Sequence, residues 1–389
     1  MNQGRTVFAQ LLDFLPKYEF DKCVARYRGD HRIRRFSTYE QFLILAFAQL
    51  TYRESLRDIE NCLGALGSRL YHCGLRRAPS RSTLADANEK RDWRIFGDFA
   101  QVLIHRAAAL HADEPLGSDI GQMAYALDST TIDLCLSVFP WATFRQAKAA
   151  IKLHTLLSLR GNYPSVVIIT PASVHDVNIL DRLNFEAGSF YLFDRGYLDF
   201  TRLFRLSQAG AFYVTRAKTN FRFRQRTKRP VERSTGLRGD QSVALVGFYA
   251  RKSYPTLLRR VTYRDPESGQ VLVFLTNNFE IPALSVAQLY RSRWQVELFF
   301  KWIKQHLRIK AFYGTTENAV RTQVWTAVTV YLLIVLIRKE LKTTISLQAM
   351  LQIFSLTLFE KTPLLSAISK DFASGADPNV NNEPCLPGF

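Results

Sequence analysis

Apolar and polar positions divide the chain into stretches of different period. From about residue 5 to 115, apolar side chains recur three and four apart, as in TYEQFLILAFAQLTYRESLRDIENCLGAL. That spacing predicts helices, with Ser37 or Thr38 as a cap and Gly64 and Gly67 near an end. A basic, turn-rich interval, YHCGLRRAPSRS, leads to STLADANEKRDWRIFGDFAQVLIHRAAAL, read as one further capped helical stretch with Arg76, Arg77 and Arg81 just before it. Helix, turn and helix with arginines at the second start is compatible with a DNA-contacting element, and equally with a helical bundle carrying a solvated basic face. Pro and Gly in DEPLGSDIGQ (113–122) then break the pattern.

Beyond this linker the period shortens. MAYALDSTTIDLCL, AIKLHTLLSLR and SVVIITPAS predict strands, the last two joined by the turn-like GNYP. A helical HDVNILDRLN, a strand SFYLFDRGY, a helical DFTRLFRLSQA and a strand AFYVTRA follow, which makes a mixed α/β sheet. From roughly 216 to 280, RAKTNFRFRQRTKRPVER, SVALVGFYA, LLRRVTYRD and VLVFLTNN predict a β-rich insertion. After it come a helical LYRSRWQVELFFKWIKQHL (289–307), the apolar run VWTAVTVYLLIVLI (324–337) and a helical SLQAMLQIFSLTLF. A tail rich in Pro, Asn and Gly from about 374 is expected to be disordered.

Composition narrows the partners. Apolar residues make up 47% of the 389, ample for real cores, and 52 Lys and Arg against 34 Asp and Glu leave a net charge of +18. Such an excess favours a polyanion, nucleic acid first and a membrane surface second. The 14-residue run at 324–337 is short for a membrane span and suits a buried helix, so no membrane partner is expected. MNQGRTVFAQ lacks the apolar core of a signal peptide, and the cytoplasm is the expected compartment. The five cysteines show no Cys-x-x-Cys pair, which argues against structural zinc.

The helical stretch at 289–307 places Tyr290, Arg293, Glu297 and Lys304 at successive offsets of 3, 4 and 7, returning to one face of a helix with about 3.6 residues per turn. An amphipathic helix with pairs such as Glu297 to Lys301 explains the same letters. Two further carboxylates stand where apolar strands end: Asp128 after YAL and Asp194 after FYLF. A lone Asp at a strand end is usually a turn former or cap, and Asp133, Asp176, Asp181 and Asp199 are read as turn, cap or solvated-surface residues. Three carboxylates from two strand ends and one helix have the chemistry to hold two divalent cations for phosphodiester displacement, and oxygen ligands favour Mg²⁺ or Mn²⁺.

These residues carry a resemblance. ALDST around Asp128, FDRGY around Asp194, the spaced set Tyr290, Arg293, Glu297 and Lys304, and the 102 residues between Asp194 and Glu297 resemble bacterial insertion-sequence transposases of the DDE type with a Tyr-Arg-Glu-Lys signature. The resemblance covers roughly residues 10 to 345. It implies a helical DNA-binding domain at 1–115, a ribonuclease-H-like core at 119–215 and 283–345 interrupted by the β-rich insertion at 216–282, and a C-terminal helix and tail at 346–389. It further implies that Asp128, Asp194 and Glu297 bind two Mg²⁺ ions, for which Mn²⁺ can substitute. Tyr290, Arg293 and Lys304 would grip phosphates at the transposon end. The expected partners are double-stranded DNA, as terminal inverted repeats and target, and a second copy of the chain when DNA is bound, in a bacterial cytoplasm on the nucleoid.

Softer expectations remain. Arg222 and Arg224 alternate with Phe221 and Phe223, as phosphate contacts or as the charges of a protected edge strand. Arg81 is a further DNA-contact candidate. His154, on the same strand face as Lys152, either approaches the metal site or is a satisfied sheet histidine. The rival functions are a non-catalytic DNA-end-binding protein and a nuclease without strand transfer. A glycosidase fits poorly, because neither the basic charge nor the basic insertion suits a neutral sugar.

Overall fold

The structure is a computed structural model that describes residues 4–114, 121–145, 148–219, 222–306 and 312–369. Phe221, Cys385 and the tail from 374 lie outside the described residues. The chain divides into two compact units, one helical and one built on a sheet.

The helical unit takes the described residues within 1–112, 132–151 and 300–379. Its N-terminal part consists of α1 (Val7–Leu12), α2 (Lys17–Arg26), α3 (Thr38–Leu50), α4 (Leu56–Leu66), α5 (Arg81–Lys90) and α6 (Arg94–Leu110). Ser37 caps α3 in a capping box, its Oγ accepting from the Glu40 N–H while the Ser37 N–H donates to Glu40 Oε2 at 2.8 Å. Ser55 and Ser80 cap α4 and α5, and Gly67 ends α4 at a φ of +50°. The stretch expected as one helix from Ser82 is broken between α5 and α6. Arg91 leaves the helix in an extended conformation, and its buried guanidinium donates to the Phe36 and Ser37 carbonyls and to Gln41 Oε1. Three acceptors for a buried cation outweigh one more helical turn.

The sheet unit takes the described residues within 113–131 and 152–299. The strands are β1 (Ala124–Leu134), β2 (Thr143–Arg145), β3 (Lys148–Ser158), β4 (Tyr163–Pro171), β5 (Phe190–Phe193), β6 (Phe212–Arg216), β7 (Phe223–Arg229), β8 (Leu237–Leu245), β9 (Leu258–Arg264) and β10 (Val271–Thr276). They form one ten-stranded sheet in the order β2-β3-β1-β5-β6-β10-β9-β8-β7, with β4 paired to β3. Four helices accompany them: α7 (Phe200–Gln208), α8 (Phe248–Ser253), α9 (Ala283–Ser292) and α10 (Trp294–His306). α7 starts at Asp199, whose carboxylate accepts from the Arg202 N–H.

The β-rich insertion extends this sheet rather than standing apart. β10 pairs antiparallel with β6, Thr276 opposite Val214, and Asn277 locks the junction by donating to the Ala211 carbonyl and accepting from the Tyr213 N–H. The free edge of β6 is thereby satisfied by the returning chain. Three local expectations change as well. SVALVGFYA is not one strand: β8 stops at Leu245, Gly247 turns at a φ of +105°, and α8 begins. HDVNILDRLN forms a 3₁₀ helix over Asp176–Arg182. The helix expected over 289–307 is two, joined at Arg293, where i to i−3 bonds from the Arg293 N–H to the Tyr290 carbonyl and from the Val296 N–H to the Arg293 carbonyl tighten the turn.

α11 (Glu317–Glu340), α12 (Leu347–Thr357) and α13 (Leu364–Ser369) return the chain to the helical unit. α11 packs against α3, α5, α6 and α12, so the N-terminal helices share a core with the C-terminal ones instead of closing on themselves. It approaches α6 closely at Gly97, where an added Cβ would meet the Trp325 ring at 3.3 Å. At 24 residues it is long and apolar enough to cross a membrane by length and composition, more than the 14-residue run suggested. Its polar Thr322, Gln323, Thr326 and Thr329 are buried too, and 94% of its apolar window is covered by protein. A helix apolar on all faces needs such cover.

Candidate active site

The site begins with two neighbouring strands. β1 and β5 run parallel with Leu127 opposite Phe193, so Asp128 on β1 and Asp194, the first residue past the end of β5, follow directly on a paired register. The apolar runs before them are buried in the sheet, and the polar ends emerge where it stops being covered. Asp194 opens a 3₁₀ turn over Arg195–Tyr197, its carbonyl accepting from the Tyr197 N–H at 3.0 Å.

The third carboxylate arrives on α10. Arg293, at the join of α9 and α10, lies between it and the strands: Nη1 donates to Asp128 Oδ2 at 2.8 Å and Nη2 to Glu297 Oε1 at 2.6 Å. Glu297 thus forms an i to i+4 ion pair with Arg293, where the plain amphipathic reading offered Lys301 as its example. Burial works against the Arg293 charge, but Tyr290, Asp128 and Glu297 outweigh it and hold the guanidinium firmly protonated. Asp128 responds the other way. Burial pushes its carboxyl up to about 6, the Arg293 charge and the Ser129 N–H pull it back, and Glu297 and Asp194 add to the rise.

The other sequence-derived candidates separate. Tyr290 is 3% exposed; its ring packs on Phe274 at 4.9 Å between centroids, the Arg293 guanidinium lies 5.6 Å from it, and burial pushes its hydroxyl up to about 12. Lys304 is half-buried on α10, about two turns beyond Glu297. Arg222 and Arg224 are exposed at the start of β7, which among the described residues pairs only with β8, while Phe223 packs inward on the core. Arg81 is exposed as the first residue of α5, its N–H donating to Glu60 Oε1.

His154 is buried on β3, with Nε2 2.9 Å from Thr170 Oγ1 and Nδ1 3.7 Å from Asp176 Oδ1. Burial pushes the imidazole down to about 4, so it is neutral at pH 7. It faces Asp176 rather than the triad. Asp176, read from the sequence as a turn, cap or solvated-surface residue, opens the 3₁₀ helix with its side chain partly exposed and in addition reaches the strand end. Its Oδ1 accepts from Ser129 Oγ at 2.8 Å and from Lys152 Nζ at 3.0 Å. The buried Tyr197 hydroxyl lies among the same groups, its pKa raised by burial and by the charges of Asp128, Asp176 and Asp194. The only signal for this group was the two-residue spacing of Lys152 and His154. Nothing in the period marks Asp176.

In the arrangement described, no three His, Cys, Asp or Glu side chains among the described residues are gathered closely enough to hold a metal ion, and the Arg293 guanidinium bridges Asp128 and Glu297. The donor set itself suits a hard cation. Three carboxylates offer oxygen only, and a half-buried Asp128 whose proton is retained up to about pH 6 is stabilised as an anion by added positive charge.

A cationic cleft of about 300 Å³ in the helical unit is lined by Arg34, Arg35 and Arg76, with Tyr39 and the satisfied acids Asp30 and Glu40. A neighbouring one of about 220 Å³ shares Arg35 and adds Arg77 and the Ser80 cap of α5. All four arginines are exposed, and among the described residues none forms an ion pair, unlike Arg26, Arg53, Arg94 and Arg106 nearby.

Comparison with known proteins connects this geometry to a family. Residues 120–333, more than half of the chain, match the model of the transposase DDE domain, and residues 3–76 match a domain of unknown function, DUF4372. A putative transposase, y4zB, of Sinorhizobium fredii is 31% identical over 287 residues, 73% of this chain and 79% of that protein. A probable transposase for insertion sequence element IS5377 of Geobacillus stearothermophilus is 32% identical over 210 residues, 54% of this chain and 55% of that one. A piggyBac transposase synaptic complex with hairpin DNA aligns at a TM-score of 0.43 and 11% identity over 95% of this chain and 80% of that one, too remote to bear on the fold. The matched domain spans both strand-end aspartates, Arg293 and Glu297, and the chain belongs to the DDE transposases of bacterial insertion sequences, metal-dependent enzymes of DNA cleavage and strand transfer.

Proposed function

We propose that the protein excises and reinserts its element by a cut-and-paste route, with Asp128, Asp194 and Glu297 as the ligands of two Mg²⁺ ions, or of Mn²⁺ in their place. The observation that carries the reading is the convergence of Asp128, on β1, and Asp194, just past the paired end of β5, with Glu297 of α10 through the Arg293 bridge. Bound there, divalent cations supply Lewis acidity to both the attacking and the leaving oxygen of a phosphodiester exchange. The chain's own residues do the rest. Buried Tyr290 backs the Arg293 guanidinium, which is free to pass from carboxylate to DNA phosphate once the carboxylates have another cation, and Lys304 grips a phosphate further along α10.

The strand order β4-β3-β1-β5-β6, with β1, β5 and β6 parallel, supports a ribonuclease-H-like core. The helical N-terminal region, about 1–115, is the terminal-repeat-binding domain on this reading, with the unpaired arginines of its cleft and Arg81 as phosphate contacts, and Arg222 and Arg224 serve the same end from β7. Joining two ends calls for a homodimer on DNA, in the bacterial cytoplasm on the nucleoid.

The test is Mg²⁺-dependent cleavage of labelled DNA carrying the element's own ends, by wild type and Glu297→Gln. The variant is expected to bind the ends and leave them uncut. End processing that survives this substitution would remove Glu297 from the metal site. Insertion of cut ends into a plasmid distinguishes transposition from plain nuclease action, which leaves only nicked or linear DNA.

A further inference from the structure

Beside the three carboxylates stands a second charged group with no part in the mechanism so far. Lys152, from β3, has a side chain only 17% exposed, and its ammonium donates to the Val174 carbonyl at 2.9 Å and to Asp176 Oδ1 at 3.0 Å. The same Asp176 oxygen accepts from Ser129 Oγ, and Ser129 is the residue after Asp128, donating its N–H to Asp128 Oδ1 at 2.8 Å. His154 and the Tyr197 hydroxyl, further titratable groups beside Asp176, are neutral at pH 7 and add no charge. The buried cation and the strand end that carries Asp128 therefore meet on one carboxylate oxygen.

We propose that Asp176 and Lys152 are positioning residues of the metal site: Asp176 fixes the Asp128 strand end through Ser129 and cancels the charge of Lys152, which otherwise opposes a cation there. This rests on the reading of Asp128, Asp194 and Glu297 as metal ligands. Charge counting gives the inference its form. Asp128, Asp194, Glu297 and Asp176 against Arg293 and Lys152 are four negative charges and two positive, a net of two negative. Removing the Asp176 charge alone halves that net, whereas removing Asp176 and Lys152 together restores it. A fourth ligand would behave differently, since its loss could not be repaired by also removing the lysine. With one Asp176 oxygen already taken by Lys152 and Ser129, compensation is the role the geometry assigns.

The experiment measures Mn²⁺ affinity of the full-length protein without DNA, by calorimetry and by paramagnetic resonance of free Mn²⁺. Wild type, Asp128→Asn, Asp176→Asn, Ser129→Ala and Lys152→Met/Asp176→Asn are compared. Asp176→Asn, nearly isosteric, is expected to weaken binding about 10- to 100-fold, as outer-shell partners of metal ligands do. The double variant is expected to regain at least about tenfold over Asp176→Asn, with the urea midpoint of every variant close to that of wild type, which separates charge compensation at the metal from loss of structure. Ser129→Ala removes a hydrogen bond and no charge, and should weaken binding about fivefold. Wild-type affinity in Asp176→Asn, or a double variant as weak as Asp176→Asn, overturns the inference. Wild type that shows no Mn²⁺ binding removable by Asp128→Asn overturns the underlying metal-site reading instead.

Discussion

Two arginines of the sheet unit, Arg259 buried and Arg293 half-buried, make opposite use of carboxylates. Arg259 of β9 and Asp240 of β8 sit diagonally across neighbouring strands, both almost inaccessible, and Nε and Nη2 engage the two Asp240 oxygens at 2.9 and 2.8 Å. The remaining Nη1 donates to the Ile281 carbonyl at 2.6 Å. Every face of that guanidinium is used and one acid meets one base. Arg293 instead spans Asp128 and Glu297, leaves a buried Nε without a partner among the described residues, and has Asp194 on the adjoining strand. One cation serves three acids there, and burial, with Glu297 and Asp194 adding to it, leaves Asp128 with a carboxyl pushed up to about 6. The first pair is a closed fastening; the second is an unfinished charge set of the kind that accepts a ligand.

Variants can break or sharpen this contrast. Asp240→Ala strands the Arg259 charge in the sheet, and urea unfolding should show a loss of about 3–5 kcal/mol. A loss under about 1 kcal/mol would erase the distinction between the two arginines. His154 tests the neutral side of the site. Its folded pKa of about 4 lies below the ordinary 6.5, so its stability is complete above 6.5 and declines as pH falls toward 4. Relative to His154→Gln, wild type should lose about 2–3 kcal/mol between pH 7 and 4.5, the worth of about two units at 1.36 kcal/mol each.

Asp128→Asn should act in the opposite sense to Asp240→Ala. An acid raised to about 6 contributes stability at low pH that is lost as pH rises through 6, so at pH 8 without metal the variant should be more stable by on the order of 1–3 kcal/mol. The gap should close near pH 4 in the same denaturation series, and a variant destabilised at pH 8 would make Asp128 structural. Arg222→Ala and Arg224→Ala, exposed and outside both networks, should leave stability within about 0.5 kcal/mol. Each should lower the slope of log affinity for DNA against log salt by about 0.9 per lost phosphate contact. An unchanged slope would leave them as the guard charges of an edge strand.

The legible parts of the fold were those with short-range causes. Ser37 caps a helix because its hydroxyl satisfies the amide three residues on, and Gly67 marks an end where the backbone takes a positive φ, whereas the turn at Gly247 was hidden in a stretch that reads as strand. At the site, Arg293 and Glu297 meet at i and i+4, and Asp128 and Asp194 stand where apolar runs stop. Less legible was whatever depended on distant partners. The break at Arg91 follows from carbonyls some 55 residues earlier, the insertion joins the core because β10 finds the edge of β6, and Asp176 reaches Ser129 across 47 positions.

The sequence by itself determined which residues carry charge at strand and helix ends and that the chain, at +18, suits a polyanion, because caps, periods and composition act over a few residues or over none. Only the tertiary structure decided that Leu127 registers with Phe193, that one guanidinium spans two carboxylates, and that Lys152 is neutralised beside them. Strand pairing between segments more than 60 residues apart is set by the burial of both, and desolvation, which raises Asp128 and lowers His154, exists only once the chain has closed around them.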